Sequence, residues 1–146
     1  MRLEGIITKV DKYWAIEVPI LNVITQGRTR KEAFEMIADA IEELVNKPDF
    51  KVYVYHGDGE KFEIGSTDKA TLFALILKRQ RLKNGLTILE VTRRLGKKSH
   101  NSYARYEQGK SIPTLEMFEL LYNAVSPEDD LVLASKKSLE RCKSWH

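Results

Sequence analysis

The sequence has 146 residues, enough for one ordinary domain or two small ones. Its 42% hydrophobic and 31% charged residues are typical of a globular protein and exclude a disordered chain. No apolar run approaches the ~18 residues that a membrane span needs, and the N-terminus lacks the features of a signal peptide, so we expect a cytoplasmic protein. The single cysteine, Cys142, excludes an internal disulfide and a cysteine-based zinc site.

Charge is divided unequally along the chain. Residues 1–68 carry 9 basic and 13 acidic side chains, a net charge of −4, whereas residues 69–146 carry 15 and 8, a net charge of +7. Two halves of opposite sign indicate two domains with different partners. We therefore expect one domain over residues 1–66, a second over residues 69–126, and a polar C-terminal tail over residues 127–146 that frays.

The first part of the chain has the pattern of an antiparallel meander. Residues 2–10 are rich in β-branched side chains, and residues 13–19 alternate between apolar and polar until Pro19, which cannot donate to a strand ladder. A third strand is predicted over residues 21–26, closed by Gly27. Short links between the three strands favour antiparallel pairing.

A helix and one or two strands are predicted to complete the first domain. Thr29 and Glu32 have the spacing of a capping box, and the following apolar residues repeat at three and four, which predicts an amphipathic helix over residues 30–46. Its apolar face consists of Phe34, Ile37, Ala38, Ile41, Leu44 and Val45. Residues 50–55 alternate as a fourth strand, and residues 61–65 can return as a fifth. The order βββαβ(β) predicts the α+β class, with a helix on one face of an antiparallel sheet.

The C-terminal half has the pattern of an all-α helix-turn-helix domain. A helix over about residues 69–83 is followed by two short helices that are joined by a tight turn. Thr87 and Glu90 form a second capping box at the start of the first short helix, and Gly96 ends it. A last helix follows, with Pro113 predicted at its start.

Charge favours nucleic-acid binding over the alternative, a small helical bundle with a solvated polar face. Residues 78–110 hold ten Lys or Arg against two acids, a net charge of +8, whereas a merely solvated face mixes its signs. A cluster of one sign around a recognition helix is what phosphate binding needs. The second short helix turns Tyr103 and Tyr106 to one side and His100, Asn101, Arg105 and Gln108 to the other.

Residues 72–125 resemble the phage-repressor type of helix-turn-helix domain, the XRE or Cro/CI family. The similar positions are Arg81, Gly85-Leu86-Thr87, Glu90-Val91, Leu95-Gly96, Tyr103, Tyr106-Glu107, Gly109 and Pro113. The resemblance implies an ion pair between Arg81 and Glu107 that locks the recognition helix to the first helix, since a guanidinium fork meets a carboxylate in two bonds. The alternative is two surface charges that never meet.

The same resemblance implies the DNA contacts. Base-reading positions fall on His100 and Asn101, with Arg105 one turn later, and Asn and Arg can bond adenine and guanine through two hydrogen bonds each. The complete predicted DNA-binding set is Thr87, Lys97, Lys98, Ser99, His100, Asn101, Ser102, Arg105 and Lys110. Ile88 stands where many relatives have a polar residue, so this position loses a contact to the DNA backbone. Thr92 replaces a small alanine, which is expected to loosen the packing of the two helices.

The N-terminal half resembles the HicB antitoxin domain. The similar positions are Tyr13-Trp14, Val18-Pro19, Thr25-Gln26-Gly27, Thr29, Glu32-Ala33 and Ala40-Ile41, with a departure at residues 19–23, where many relatives carry an L-P-G-C-type turn. The resemblance implies a partial RNase H-like fold and a partner, a small basic HicA-like ribonuclease toxin, whose charge would complement an acidic domain. The residues predicted to bind the toxin are Tyr13, Trp14, Glu35, Asp39 and Glu42. Acidic helix faces are also common in proteins that bind no such partner.

We therefore expect a HicB-type antitoxin that inhibits a HicA-like toxin and represses its own operon by binding operator DNA, at least as a homodimer, because such repressors read two half-sites. A stand-alone transcription regulator with a ligand- or partner-sensing N-terminal domain is the first alternative. A nuclease is the second, but Glu4, Asp11 and Glu17 do not form the carboxylate cluster that two metal ions need. We predict no enzyme, no cofactor and no metal site, and interpret His56 beside Asp58 as a solvated turn residue.

Overall fold

The computed structural model describes residues 1–96 and 101–137. The chain divides into two compact units, Met1–Asp68 and Lys69–Ser135, and Lys136 and Lys137 group with the first unit. The first unit contains β1 (Leu3–Val10), β2 (Tyr13–Val18), β3 (Val23–Gly27), α1 (Arg30–Val45), β4 (Tyr53–His56) and β5 (Lys61–Gly65). The second contains α2 (Lys69–Lys83), α3 (Ile88–Arg94), α4 (Asn101–Glu107) and α5 (Leu115–Val125). The predicted α+β class is confirmed. Within the described residues, every helix is too short or too polar to span a membrane.

The five strands form one antiparallel sheet in the order β3-β2-β1-β5-β4. The first three strands are the predicted meander, and β5 lies between β1 and β4, so that the last two strands form a hairpin beside β1. α1 packs on one face of the sheet, because alternate strand residues are apolar and the helix carries a matching apolar side. The core between them contains Ile7, Ile16, Val18, Val54, Phe62, Ile64, Phe34, Ile37 and Ile41.

Two glycines allow other groups to approach the sheet backbone closely. Gly5 pairs with Phe62 across the β1–β5 ladder, and a Cβ at Gly5 would lie 2.1 Å from the Phe62 ring. A Cβ at Gly27 would lie 2.4 Å from the backbone N of Ala33. The first position lets an aromatic ring cover β1, and the second lets the first turns of α1 rest on β3.

The third and fourth strands differ from the sequence prediction. The third was predicted over residues 21–26, but Pro19–Leu21 form a 3-10 turn, Asn22 takes a left-handed conformation with φ of 50°, and the strand includes Gly27. Leu21 is buried by this turn rather than by strand alternation. The fourth begins at Tyr53 rather than at residue 50, because the Phe50 N–H donates to the Lys47 carbonyl in a turn.

The second unit begins as predicted and differs at its last helix. α2 spans Lys69–Lys83, the predicted range. The last helix was predicted to begin with Pro113, but Thr114 is its N-cap and the helix begins at Leu115. The Thr114 hydroxyl accepts from the Met117 N–H at 3.1 Å, so the cap rather than the proline sets this boundary. The unit is packed around Leu72, Leu75, Ile76, Leu77, Val91, Tyr103, Phe118, Leu121 and Tyr122.

Candidate nucleic-acid interface

α3 has defined ends. The Thr87 hydroxyl accepts from the Glu90 N–H at 3.1 Å, which satisfies one of the free donors of the first turn. Gly96 takes a left-handed conformation with φ of 70° immediately after the helix. Thr87 and Gly96 thus set the two ends of α3, as the sequence predicts.

α4 ends at a second left-handed glycine, Gly109, with φ of 73°. A Cβ there would meet the Thr71 backbone at 3.6 Å, so the C-terminal end of α4 lies against the start of α2. Ser99, a predicted DNA contact that precedes this helix in the sequence, lies outside the described residues. The orientation of α4 is therefore fixed, within the described residues, by its C-terminal half.

A buried ion pair joins α4 to α2. Arg81 Nε lies 3.1 and 2.9 Å from the two carboxylate oxygens of Glu107, and Arg81 Nη2 lies 2.6 Å from Glu107 Oε1. Arg81 Nη1 also donates to the Leu86 carbonyl at 2.8 Å. The two side chains are only 12% and 7% exposed, and the bonds to Glu107 raise the pKa of Arg81. One guanidinium thus holds α4, α2 and the segment before α3 together.

Tyr103 and Thr92 fill the space between the helices. Tyr103 is completely buried beside the ion pair, and burial, followed by the proximity of Glu107, raises its pKa. Among the described residues, its hydroxyl has no hydrogen-bond partner. Thr92, expected to loosen the packing, is also fully buried, and its hydroxyl donates to the Ile88 carbonyl at 2.8 Å. That hydroxyl therefore needs no partner on α4.

The outward side of α4 carries groups that can bond base edges. Asn101, Arg105 and Gln108 are exposed at a spacing of four and three residues, which puts them on one side of the helix. Of the other predicted DNA contacts, Thr87 and Lys110 are exposed and Ser102 is half-buried. The remaining predicted contacts, Lys97, Lys98, Ser99 and His100, lie outside the described residues.

Most described basic side chains of residues 78–110 are exposed to solvent, but one of them also bonds the C-terminal end of α5. The exposed ones are Lys78, Lys83, Arg93, Arg94, Arg105 and Lys110. Arg94 nevertheless has a structural bond, because its Nη1 donates to the Ala124 carbonyl at 3.1 Å, and Asn84 Nδ2 donates to the Val125 carbonyl at 2.8 Å. These two side chains satisfy the C-terminal carbonyls of α5, which has no basic residue in its own last turn. Sequence reasoning missed this role, since the partners are 30 and 41 residues apart.

The residues predicted to bind a toxin do not lie on one surface. Tyr13 and Trp14 are adjacent in β2 and point to opposite faces of the sheet. Trp14 lies on the α1 side, with Arg30 and Lys9 each 5.9 Å from its ring. Glu42 is partly committed within the unit, because its carboxylate accepts from the Val52 N–H at 2.9 Å. Glu35 and Asp39 lie on the outer side of α1.

His56 takes part in packing and does not lie free in a turn, as the sequence suggested. Its ring stacks on Phe34 with 4.2 Å between centroids and an interplanar angle of 12°. Arg30 holds the adjacent turn, donating to the carbonyls of Gly57, Asp58 and Gly59 at 2.6, 3.2 and 2.9 Å. Among the residues that the structure describes, no three His, Cys, Asp or Glu side chains are grouped so as to hold a metal ion.

Comparison with known families identifies the second unit. Residues 77–124 match the family model described as Helix-turn-helix. The match begins within α2 and includes α3, α4 and nearly all of α5, the elements that carry the ion pair and the exposed polar side of α4. It does not extend into residues 1–68. No curated protein matches the chain. The second unit is thus a helix-turn-helix domain, which supports a DNA-binding transcription regulator.

Proposed function

We propose that the protein is a HicB-type antitoxin, which represses its own operon through the helix-turn-helix domain and inhibits a small basic HicA-like ribonuclease through the first unit. One observation carries the DNA-binding part of this proposal. Asn101 and Arg105 are exposed on a short helix whose orientation is held by the buried pair of Arg81 and Glu107. A helix of this kind fits the major groove, where Asn can bond adenine and Arg can bond guanine.

A single copy of α4 is too short to select an operator. Seven residues at ~1.5 Å per residue cover about 10 Å, or roughly three base pairs at ~3.4 Å each. Two half-sites read by two copies are therefore needed to distinguish an operator from the rest of a genome. Ile112, in the loop after α4, and Leu115, at the start of α5, are 60% and 72% exposed, which leaves two apolar side chains available to a second copy. We propose a homodimer or a higher oligomer.

The antitoxin part of the proposal is supported by charge and element order. Residues 1–68 carry a net charge of −4, which suits a basic protein partner and disfavours nucleic acid. Three strands, a helix and a further strand follow one another in the order that the HicB resemblance implies, with one additional strand at the end. A stand-alone regulator with a sensing N-terminal unit is equally compatible with the match over residues 77–124.

The DNA-binding proposal is tested with duplexes from the region upstream of the protein's own gene. We expect Arg105→Ala and Asn101→Ala each to weaken specific binding by ~1–3 kcal/mol, measured by fluorescence anisotropy against a scrambled duplex. Lys110→Ala is the matched control for a phosphate contact. It should weaken both duplexes alike and reduce the salt slope by about 1. Unchanged specific affinity in both α4 variants would contradict the choice of reading helix.

The antitoxin proposal is tested by co-expression with the adjacent reading frame and co-purification. A stoichiometric complex with a small basic protein, together with loss of that protein's ribonuclease activity, is the expected result. We also propose that the protein itself is not an enzyme, so the purified chain with Mg²⁺ should leave RNA intact. Absence of any complex would favour the stand-alone regulator, and metal-dependent cleavage by the chain alone would favour a nuclease.

A further inference from the structure

α1 leaves two large apolar side chains exposed. Met36 is 40% exposed and Leu44 is 43% exposed, although the sequence pattern assigned Leu44 to the core. Half-buried Ala40 lies between them, and the spacing of four residues puts all three along one side of the helix. We call these three residues the α1 ridge. It extends for about 12 Å, since eight residues rise by ~1.5 Å each.

A row of carboxylates runs beside the α1 ridge. Glu32, Asp39 and Glu43 are seven and four residues apart and lie on the neighbouring side of the helix. None of the three forms an ion pair with any residue in the described ranges, whereas Glu4 and Glu63 on the sheet are paired with basic side chains. These carboxylates, the acidic border, thus keep their charge available to a partner.

We propose that the α1 ridge and its acidic border are the surface on which the first unit binds its protein partner. The partner surface would have an apolar centre and a basic edge. This inference rests on the proposed antitoxin function and makes it specific, because it assigns binding to the outer side of α1. It removes Tyr13, which lies on the opposite face of the sheet, from the predicted contact set.

The chemistry of the surface excludes other occupants. Unpaired carboxylates repel the phosphates of a nucleic acid. A convex helix lacks the enclosed cavity that a small ligand requires. A second copy of the same surface is also disfavoured, because it brings more carboxylates and no basic row to offset the acidic border, and an antiparallel two-fold contact would set the two borders side by side. A basic protein is the occupant whose charge complements Glu32, Asp39 and Glu43 and whose apolar side chains can cover Met36 and Leu44.

The experiment uses the full chain and the product of the adjacent reading frame, with the dissociation constant measured by calorimetry. We expect Met36→Ser and Leu44→Ser each to weaken the complex about tenfold, as truncation near an interface centre does. Ile24→Ser is the matched control, because Ile24 is 72% exposed on the other face of the sheet. It should bind like the unsubstituted protein. Circular dichroism and operator affinity should be unchanged in all three variants.

Charge is tested separately through the association rate. Asp39→Lys and Glu43→Lys should slow association on the order of tenfold at low salt, and the difference should shrink as salt rises. Glu60→Lys, which changes the net charge equally at an exposed turn, should have a much smaller effect.

The outcomes separate the two proposals. If the unsubstituted chain forms no complex, the antitoxin function fails and the α1 ridge fails with it. If the complex forms and the ridge variants bind as tightly as the Ile24→Ser control, only the ridge is overturned. If the ridge variants instead change operator affinity, the ridge acts on the DNA-binding part of the protein, and the assignment to a separate partner is wrong.

Discussion

Replacement of Glu107 is expected to destabilise the second unit strongly. Glu107→Leu would remove the carboxylate that Arg81, whose side chain is only 12% exposed, contacts at 2.6, 2.9 and 3.1 Å. Removing one partner of a buried pair costs ~3–5 kcal/mol. At ~0.05–0.15 kcal/mol per residue, the second unit has roughly 3–10 kcal/mol of stability in total. We therefore expect the melting temperature to fall by at least about 12 °C, or the unit to unfold outright.

Replacing both members of the pair shows whether the loss of stability comes from leaving one charge buried without its partner. Arg81→Met with Glu107→Leu removes both charges, so the cost of the pair itself should largely disappear. A residual cost of ~1–2 kcal/mol is expected, because the Leu86 carbonyl loses its 2.8 Å bond to Arg81. Urea unfolding by circular dichroism would supply the four corners of a double-mutant cycle, with hydrogen exchange assigning the transition to the second unit.

Small and additive effects on stability would show that Arg81 and Glu107 do not form a buried pair. If each single replacement costs less than about 1 kcal/mol and the double cost is their sum, the two side chains behave as an exposed ion pair. A loss of the coupling in 1 M salt would lead to the same conclusion, because burial is what protects the pair from screening.

Further predictions concern Tyr103, two glycines and two helix caps. Tyr103→Phe should be neutral or stabilising at pH 7, because the hydroxyl makes no hydrogen bond to any residue that the structure describes. Above pH ~10 the unfolded tyrosine ionises while the buried one stays neutral, so the unsubstituted protein should lose stability relative to Tyr103→Phe as pH rises, as pH-dependent urea unfolding would reveal. Gly27→Ala should destabilise more than Gly5→Ala, because the new Cβ meets backbone at 2.4 Å rather than a side-chain ring, and equal melting temperatures would argue against this. Thr29→Ala and Thr87→Ala should each cost ~1 kcal/mol in urea unfolding, whereas Thr→Ser at the same positions should cost less.

Local signals in the sequence predicted the helix ends well. Thr29 and Thr87 cap α1 and α3 as the S/T-x-x-E pattern indicates, and Gly96 and Gly109 take the left-handed conformation after their helices. Such ends depend on bonds between residues three or four apart, which a sequence displays directly. Pro113 misled the prediction, because the adjacent Thr114 competes for the helix start and provides the capping oxygen.

Features that depend on distant residues were not visible in the sequence. The position of β5 between β1 and β4 requires pairing across more than fifty residues, for which no local pattern exists. The exposure of Leu44 has the same origin, since the 3.6-residue period predicts an apolar side but not how far the sheet extends beneath it. The HicB resemblance places Tyr13 and Trp14 together among the predicted toxin contacts, although neighbouring strand residues face opposite ways.

The placement of Phe62 has a consequence for synthesis on the ribosome. Its ring covers Gly5, and its strand supplies the hydrogen bonds on the second side of β1. A nascent chain that ends before residue 61 would expose both the bare glycine and an unpaired strand edge, which is a site for aggregation. The meander and α1 therefore cannot mature ahead of the hairpin that follows them, and the first unit should acquire its protection from proteases in one step, after its last strand has emerged.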